Sequence, residues 1–210
     1  AGVSLITNSR WFGGRAKATA GIDARHEMIS SSLEDARASE GFNVVAADRG
    51  NFSEGSTYST TDAFLTLEGR PWISEGQAEL VLRGGARWSR VQAFAPDVPD
   101  LGDVDYSAEA PVFDVGARLL VSNSLALFSS WSQGFRAPTL QETTQLGNTG
   151  KNFEIPNDSL GPERSTTIEA GARYMNRRVH LQASWFITDI DDAITRADAL
   201  YEGESTYDGA

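Results

Sequence analysis

The sequence predicts an all-β protein built from about eight long antiparallel strands. Polar and apolar residues alternate over stretches of up to fourteen positions, which is typical of strands with one wet face and one dry face. Several stretches reach eleven residues, whereas a transmembrane β-strand needs about 9 to 11 and soluble strands run about 5 to 6. Short and long connections also alternate. Together these patterns predict a transmembrane β-barrel architecture with short periplasmic turns and long extracellular loops.

The individual strands differ in how clearly they alternate. Alternation is weakest in residues 3–11 and clearest in residues 15–28, where the even positions are mostly apolar and the odd positions mostly polar. No stretch has a convincing helical period. The remaining strands are predicted at residues 58–70, 78–88, 111–121, 125–135, 166–174 and 179–187.

The connections between these strands fall into two length classes. Short turns are predicted at residues 12–14, 71–77, 122–124 and 176–178. Long loops are predicted at residues 31–57, 95–108 and 137–164, with a fourth beginning near Ala197. A barrel in an outer membrane has this asymmetry because its two rims face different compartments.

Side-chain alternation also predicts which residues face lipid and which face the lumen. A register slip of one residue would invert every assignment. The residues expected to face lipid are Ile22, Leu80, Leu82, Ile168 and Ala172. Those expected to face the lumen are Lys17, Asp23, Arg83, Arg87, Glu169 and Arg173. Aromatic residues near strand ends, including Trp11, Trp72, Trp88, Tyr58 and Tyr174, suit the girdles found at membrane interfaces.

Composition argues against several functional classes. The chain has 29 acidic and 18 basic residues and a net charge of −11, which opposes nucleic-acid binding because phosphates require a basic face. Two His and no Cys leave no ligand set for a structural zinc and no disulfide framework. No apolar run approaches the roughly 20 residues of a transmembrane helix. We predict no cofactor and no catalytic activity.

Two clusters of carboxylates suggest other chemistry. An acidic stretch lies in the second long loop, and its hard oxygen ligands suit calcium, or its field could attract cationic ligands. A second cluster, near the end of the last strand, contains paired carboxylates of the kind that glycosidases use. Charge runs are more often solvated surface. The residues are Asp97, Asp100, Asp103, Asp105 and Glu109 in the first cluster, and Asp189, Asp191 and Asp192 in the second.

Two short motifs flank the third long loop. The first contains Phe135, Arg136, Ala137 and Pro138, and the second contains Asn157, Leu160, Pro162 and Glu163. The pair closely resembles the signature of TonB-dependent outer-membrane receptors. There, a Phe-Arg-Ala-Pro box ends one strand and an Asn-Pro-Asn-Leu-x-Pro-Glu box precedes the next. This sequence departs from the second box at Asp158 and Ser159, where the family favours Pro and Asn.

The motifs also have a local physical interpretation. Ala137 precedes Pro138 and is therefore pushed out of the helical region, so the strand must leave the sheet there. We expect Arg136 to pair with Glu142 or Glu163 and hold the base of the loop. On this interpretation the motif residues brace the loop and do not contact ligand.

The resemblance implies a barrel of about 22 strands closed by an N-terminal plug. A 210-residue chain with eight strands is then part of the barrel, without the plug or the barrel C-terminus. The family location is the bacterial outer membrane, in contact with its lipid, and a TonB-type energy-transducing protein pulls on the plug. Ferric siderophore leads as ligand because much of the family imports it, with cobalamin, haem and oligosaccharide as alternatives. Haem receptors of the family carry a His between the two boxes, and none lies between Pro138 and Asn157.

Two other functional classes compete with this interpretation. A soluble or surface-attached all-β binding module is compatible with a mean hydropathy of −0.32. A passive porin would share the strand pattern. The paired motifs argue against both alternatives, because neither class carries them.

Overall fold

The computed structural model describes residues 1–31, 34–37, 43–46, 52–74, 78–148, 153–200 and 203. In chain order, the strands are β1 (Gly2–Trp11), β2 (Ala16–Ile29), β3 (Glu34–Arg37), β4 (Asn43–Ala46), β5 (Ser56–Ile73), β6 (Glu79–Val98), β7 (Gly102–Leu120), β8 (Leu125–Arg136), β9 (Gly147–Asn148), β10 (Phe153–Glu154), β11 (Glu163–Met175) and β12 (His180–Asp191). A single turn of 3₁₀ helix covers Phe12–Gly14, and one short helix, α1, covers Leu140–Thr144.

Eight of these strands form one antiparallel sheet. Its order is β1-β2-β5-β6-β7-β8-β11-β12, so each long strand pairs with the next long strand along the chain. The hairpins β3–β4 and β9–β10 lie within the long connections as separate two-stranded sheets. In the described part of the chain β1 and β12 are the two edges, and the sheet is open. The predicted all-β antiparallel fold with eight long strands is confirmed.

The strand register divides the side chains between two faces as predicted. Ile22 pairs with Ala63, Ala63 with Trp88, and Trp88 with Pro111, so these residues share one face, which we call the outer face. Ile168 lies on the same face and is 48% exposed. The charged residues predicted to face the lumen alternate with these positions and lie on the opposite, inner face.

An apolar band crosses the outer face. On β6 it runs from Leu80 to Trp88, and the next outward residues are Arg90 and Gln92. The nine residues from Leu80 to Trp88 span about 27 Å at a rise of about 3.4 Å per residue. A tilted transmembrane strand needs about 9 to 11 residues, so an apolar stretch of this length is long enough to cross the apolar part of an outer membrane. Arg90 therefore lies just beyond the band, on the side that carries the long connections.

The inner face carries a polar network instead. Asp23 accepts a hydrogen bond from the Ser4 hydroxyl across β1 and β2. Ion pairs link Arg87 to Asp62 and Arg83 to Asp114, each at 3.8 Å. Charged side chains that share a face with no apolar cover are typical of a hydrated lumen wall.

The structure corrects the predicted long loop at residues 95–108. β6 continues to Val98 and β7 begins at Gly102, so the connection is a tight turn. Gly102 has a φ of +75°, in the left-handed region that favours glycine. The strands continue because their inward residues stay apolar and buried, whereas the acidic residues that suggested a loop lie mostly on the outer face or in the turn. The buried inward residues are Val91, Ala93, Ala95, Val104 and Ala110.

A small apolar core lies on the inner face beyond the band. Leu140 of α1 packs against Ala93, Ala95, Val98 and Val104. The partly buried side chains around this core are Ile29, Phe52, Tyr58 and Tyr106. The prediction that Tyr58 belongs to an aromatic girdle was therefore wrong, because Tyr58 faces inward against this core.

The short helix is also a correction, since no helix was predicted from the sequence. At five residues, α1 is shorter than the window over which helical periodicity can be recognised. Within the described residues, no helix is long and apolar enough to cross a membrane.

The two faces of β6 give a direct test of the barrel. We expect a nitroxide label at Leu82 to be relaxed mainly by lipid-soluble oxygen and one at Arg83 mainly by a water-soluble nickel chelate, because successive side chains point to opposite faces. The measurement is electron paramagnetic resonance on the full-length protein in vesicles. Equal accessibility at the two positions would contradict the barrel.

Candidate functional site at the base of the long loop

The two sequence motifs meet at the end of the sheet. β8 ends at Arg136, β11 begins at Glu163, and these two residues are direct register partners. The Arg136 Nε donates a hydrogen bond to Glu163 Oε2 at 2.5 Å. Its Nη1 lies 3.0 Å from both carboxylate oxygens of Glu142 on α1. One guanidinium thus joins two strands and the helix between them, and it contacts both of the carboxylates that were candidates from the sequence.

The first motif turns the chain from β8 into α1. Phe135 lies on the outer face opposite Arg164, whereas Ala137 and Pro138 are buried. Pro138 has no backbone N–H and cannot continue the ladder. The helix then begins with Thr139 as its N-cap.

Thr139 and Glu142 form a capping box at this helix start. The Glu142 backbone N–H donates to the Thr139 hydroxyl at 3.3 Å, and the Thr139 backbone N–H donates to Glu142 Oε2 at 2.8 Å. The box satisfies N–H groups that have no partner within the helix. It also fixes the Glu142 carboxylate where Arg136 can reach it.

The second motif returns the chain to the sheet. The Asn157 backbone N–H donates to the Thr143 carbonyl oxygen at 3.1 Å, next to the C-terminus of α1. The Asn157 side-chain oxygen accepts from the backbone N–H of Ser159 at 3.0 Å and from its hydroxyl at 2.6 Å. Ser159, which departs from the family pattern, therefore takes part in the turn. Leu160 and Pro162 are half-buried between this turn and β11.

Glu163 also connects this loop to the segment after β12. Its Oε1 accepts a hydrogen bond from the Ile194 backbone N–H at 2.6 Å. A second contact, 2.5 Å between Arg196 Nη2 and Glu154 Oε1, links the same segment to β10. The loop between β8 and β11 and the segment after β12 are therefore held together at two points.

We call the contacts of Arg136 with Glu142 and Glu163 the Arg136 junction. Its electrostatics favour the charged form of both carboxylates. Hydrogen bonds from Arg136 and from the Ile194 backbone N–H lower the pKa of Glu163 from its ordinary 4.5 to about 2. Partial burial raises the pKa of Glu142, but bonds from Thr139 and Arg136 outweigh this effect and the net pKa is lowered. Both groups lie beyond the apolar band, where water reaches them.

This pKa shift predicts how the junction responds to acid. Because the pKa of Glu163 is depressed on folding, its stabilising contribution is complete above about pH 4.5 and is lost as the pH falls towards about 2. The chain has no Cys, so Asp158→Cys offers one nitroxide attachment point on the loop. We expect the label to become more mobile below about pH 4.5. Glu163→Gln should be mobile already at pH 7, and identical profiles for the two proteins would refute this assignment.

The two acidic clusters predicted from the sequence lie in the β6–β7 hairpin and at the end of β12. The Asp97 backbone N–H donates to Asp103 Oδ1 at 3.0 Å, so Asp103 braces the β6–β7 turn. Asp189 and Asp191 lie at the end of β12, and Asp192 follows with a φ of +55°. Within the described ranges, no group of three or more His, Asp or Glu side chains is arranged to hold a metal ion.

Sequence reasoning missed two features of the site. Thr139 and Glu142 fit the Ser/Thr-x-x-Glu pattern of a capping box, so this helix start could have been found. The Ile194 contact had no local signal, because a backbone N–H gives no information about a partner 31 residues away.

Comparisons with known proteins agree with the fold and the motifs. A family model described as TonB dependent receptor-like, beta-barrel matches residues 2–207. A hemin receptor from Yersinia enterocolitica is 27% identical over 164 residues, which cover 67% of this chain and 23% of that protein.

Solved structures show the same architecture. The copper transporter OprC has a TM-score of 0.67 at 21% identity and covers 90% of this chain and 29% of its own. A double mutant of the Serratia marcescens hemophore receptor HasR, in complex with its hemophore HasA and heme, has a TM-score of 0.66 at 15% identity, with 90% and 32% covered. The chain thus spans about a quarter to a third of the length of these relatives. The family consists of outer-membrane receptors that act in transport, and the match over residues 2–207 shows that this chain belongs to the TonB-dependent receptor β-barrels.

Proposed function

We propose that this chain forms part of the wall of an energy-coupled importer in the bacterial outer membrane, which takes up a scarce and large nutrient. The observation that supports this most directly is the Arg136 junction, which fastens a long connection to the rim of a sheet with an apolar outer band. Such a rim can hold ligand-binding loops in a fixed position while the sheet below spans the bilayer.

The exposed apolar band is the main argument for a membrane. Leu65, Phe113 and Ile187 are 44%, 48% and 54% exposed on the outer face. A soluble domain rarely leaves such a large apolar area in water. In a bilayer the same face contacts acyl chains at no cost, so we favour the importer over a soluble or surface-attached binding module.

Different elements of this segment supply different parts of the proposed importer. The connections after β8 and β12 supply ligand-capturing surface, and the charged inner face supplies lumen wall. We propose that residues 1–210 are a partial barrel and that a plug elsewhere in the protein closes the lumen. A TonB-type partner then acts through that plug, and this segment takes part in neither catalysis nor coupling.

We propose an iron-bearing ligand, with ferric siderophore as the first candidate. His26 lies on the outer face with its Nδ1 2.8 Å from the Ser59 hydroxyl, and His180 begins β12 at the opposite end of the sheet. Neither is placed to contact a ligand held at the rim beside Arg136. Haem is the second candidate because the Yersinia relative is a hemin receptor.

Uptake assays on the full-length receptor test the proposal. The receptor is expressed in an outer-membrane host without iron receptors of its own, and cells are supplied with radiolabelled ferrichrome, ferric enterobactin or haemin. We expect uptake of ferrichrome or ferric enterobactin in cells with TonB and none in cells without it.

The other outcomes discriminate among the alternatives. TonB-dependent uptake of haemin alone would replace the siderophore with haem. Uptake that is independent of TonB would favour a porin. Recovery of the receptor in the soluble fraction would overturn the membrane assignment.

A further inference from the structure

The outer face carries a groove that the transport function does not explain. It has a volume of about 630 Å³, within the range of about 300 to 1,000 Å³ of small-molecule sites. Small side chains of β2, β5 and β6 form its floor, and larger apolar side chains form its walls. The floor consists of Ala20, Ala63 and Ala86, and the walls include Leu5, Leu65 and Phe113.

The groove follows from the order of residues in two adjacent cross-strand rows. One row reads Ala20, Leu65, Ala86 and Phe113 from β2 to β7. The row above it reads Ile22, Ala63, Trp88 and Pro111. Large and small side chains alternate both along and between the rows, so the large ones stand around a recess over the small ones.

The third row changes the chemistry at one end of the groove. It places Thr61 of β5 and Arg90 of β6 directly beyond Ala63 and Trp88. The Arg90 guanidinium is exposed and makes no hydrogen bond or ion pair with any described residue. Glu109 is its partner across the β6–β7 ladder, yet the two side chains are not within ion-pair distance. Thr61 and Gln92 add exposed polar groups beside it.

We propose that this groove binds one acyl chain of a phosphorylated glycolipid of the outer leaflet, with the lipid phosphate at Arg90. The inference rests on the proposed outer-membrane location, because Arg90 lies on the side of the long loops and therefore at the outer leaflet. A planar guanidinium beside hydroxyl and amide groups suits a phosphate, and the apolar recess begins one residue pair below it.

The preference of the groove for one lipid over another comes from charge and shape and not from hydrophobicity. Lipid tails are as apolar as the groove, so burial alone does not favour one lipid over another. Contact with the floor adds dispersion attraction that a convex barrel surface cannot offer. The Arg90–phosphate contact then favours a headgroup with net negative charge, such as a phosphomonoester, over a zwitterionic phosphodiester, whose own cation neutralises its phosphate.

Native mass spectrometry of the full-length receptor tests this proposal. The protein is delipidated in detergent and titrated with bisphosphorylated lipid A or with a phosphatidylcholine. We expect one tightly bound lipid A, with Arg90→Gln weakening its binding about tenfold, the factor that corresponds to one charge-assisted hydrogen bond. Ala63→Phe, which fills the floor, should remove the tight site and keep the outer face apolar.

Matched variants separate this site from general lipid binding. Arg164→Gln removes another exposed outward arginine at the loop end of the sheet, and Ala170→Phe enlarges an outward alanine on β11, away from the groove. Both should bind lipid A like the parent. Equal losses in these controls, tight binding in Ala63→Phe, or no preference for lipid A over phosphatidylcholine would each overturn the proposal. A change in oligomeric state in Ala63→Phe without loss of lipid would assign the groove to a second copy of the receptor.

Uptake measured on the same variants keeps the two proposals distinguishable. Ala63→Phe is expected to transport its ligand in the presence of TonB, because the groove faces away from the lumen. A receptor that transports normally but shows no lipid site refutes the groove and leaves the proposed function intact. A receptor that binds lipid A at this site but transports nothing does the reverse.

Discussion

Replacing Gly171 with alanine is expected to destabilise the barrel wall substantially. Gly171 lies on the inner face of β11, opposite Phe128. A Cβ at this position would come within 2.5 Å of the Ala183 carbonyl oxygen and 2.5 Å of the Phe128 ring. The carbonyl belongs to the neighbouring strand and cannot move without disturbing the ladder. We expect a loss of about 1 to 3 kcal/mol in the free energy of unfolding, the usual cost of overpacking.

Gly84→Ala is the matched control for this substitution. Gly84 lies in β6, but a Cβ there would find Asp114 oxygen at 3.8 Å as its nearest neighbour, an ordinary contact. The measurement is urea unfolding of the full-length receptor in vesicles, followed by tryptophan fluorescence. Gly84→Ala should unfold at the same urea concentration as the parent or at a slightly higher one. Equal effects of the two substitutions would mean that the close approach at Gly171 does not limit stability.

The sequence was sufficient to predict the strands within the apolar band. Alternation of Leu80 and Leu82 with Glu79 and Arg83 identifies both the strand and its two faces, because a pleated strand has a fixed period of two. This holds wherever one face contacts lipid and the other contacts water. The sheet order then follows, since successive long strands pair with each other.

Beyond the band the same rule no longer applies. Beyond the band, the outer face of β6 and β7 contacts water and the inner face contacts a small apolar core. Polar outward residues such as Asp105 therefore suggested a loop. What keeps the hairpin extended is the burial of Ala95 and Val104 under Leu140. That packing depends on α1, which lies in the connection between β8 and β11. No local sequence pattern in β6 or β7 indicates that this helix will cover them.

The loop base was partly predictable for a related reason. Arg136 and the acidic residues near it are charged groups at a strand end, so a pairing was expected. The register of β8 against β11 places Arg136 directly opposite Glu163. The contact of Glu163 with Ile194 depends on where the chain goes after β12 and could not be read from the motif.

Replacing Arg136 with alanine is expected to release the loop while leaving the sheet assembled. The substitution removes the contacts to Glu142 and Glu163 together. Arg136 is 43% exposed, so water compensates part of the loss, and we expect a local cost of about 1 to 2 kcal/mol. This cost corresponds to about tenfold faster hydrogen exchange of the amides in residues 139–146. The ladder between β8 and β11 keeps its bonds, so heat-modifiable migration of the full-length receptor should be unchanged.

Two further variants separate the planar guanidinium from its charge. Arg136→Lys keeps the charge but cannot present a fork to two carboxylates at once, so we expect poor rescue of both exchange protection and ligand affinity. Arg164→Ala removes the adjacent arginine, which points outward, and should behave like the parent in both measurements. If Arg136→Ala and Arg136→Lys retained parental exchange rates and affinity, the junction would not hold the loop. Faster exchange in Arg136→Ala with unchanged affinity would instead mean that ligand contacts lie in other loops, because the base would then open without moving the binding surface.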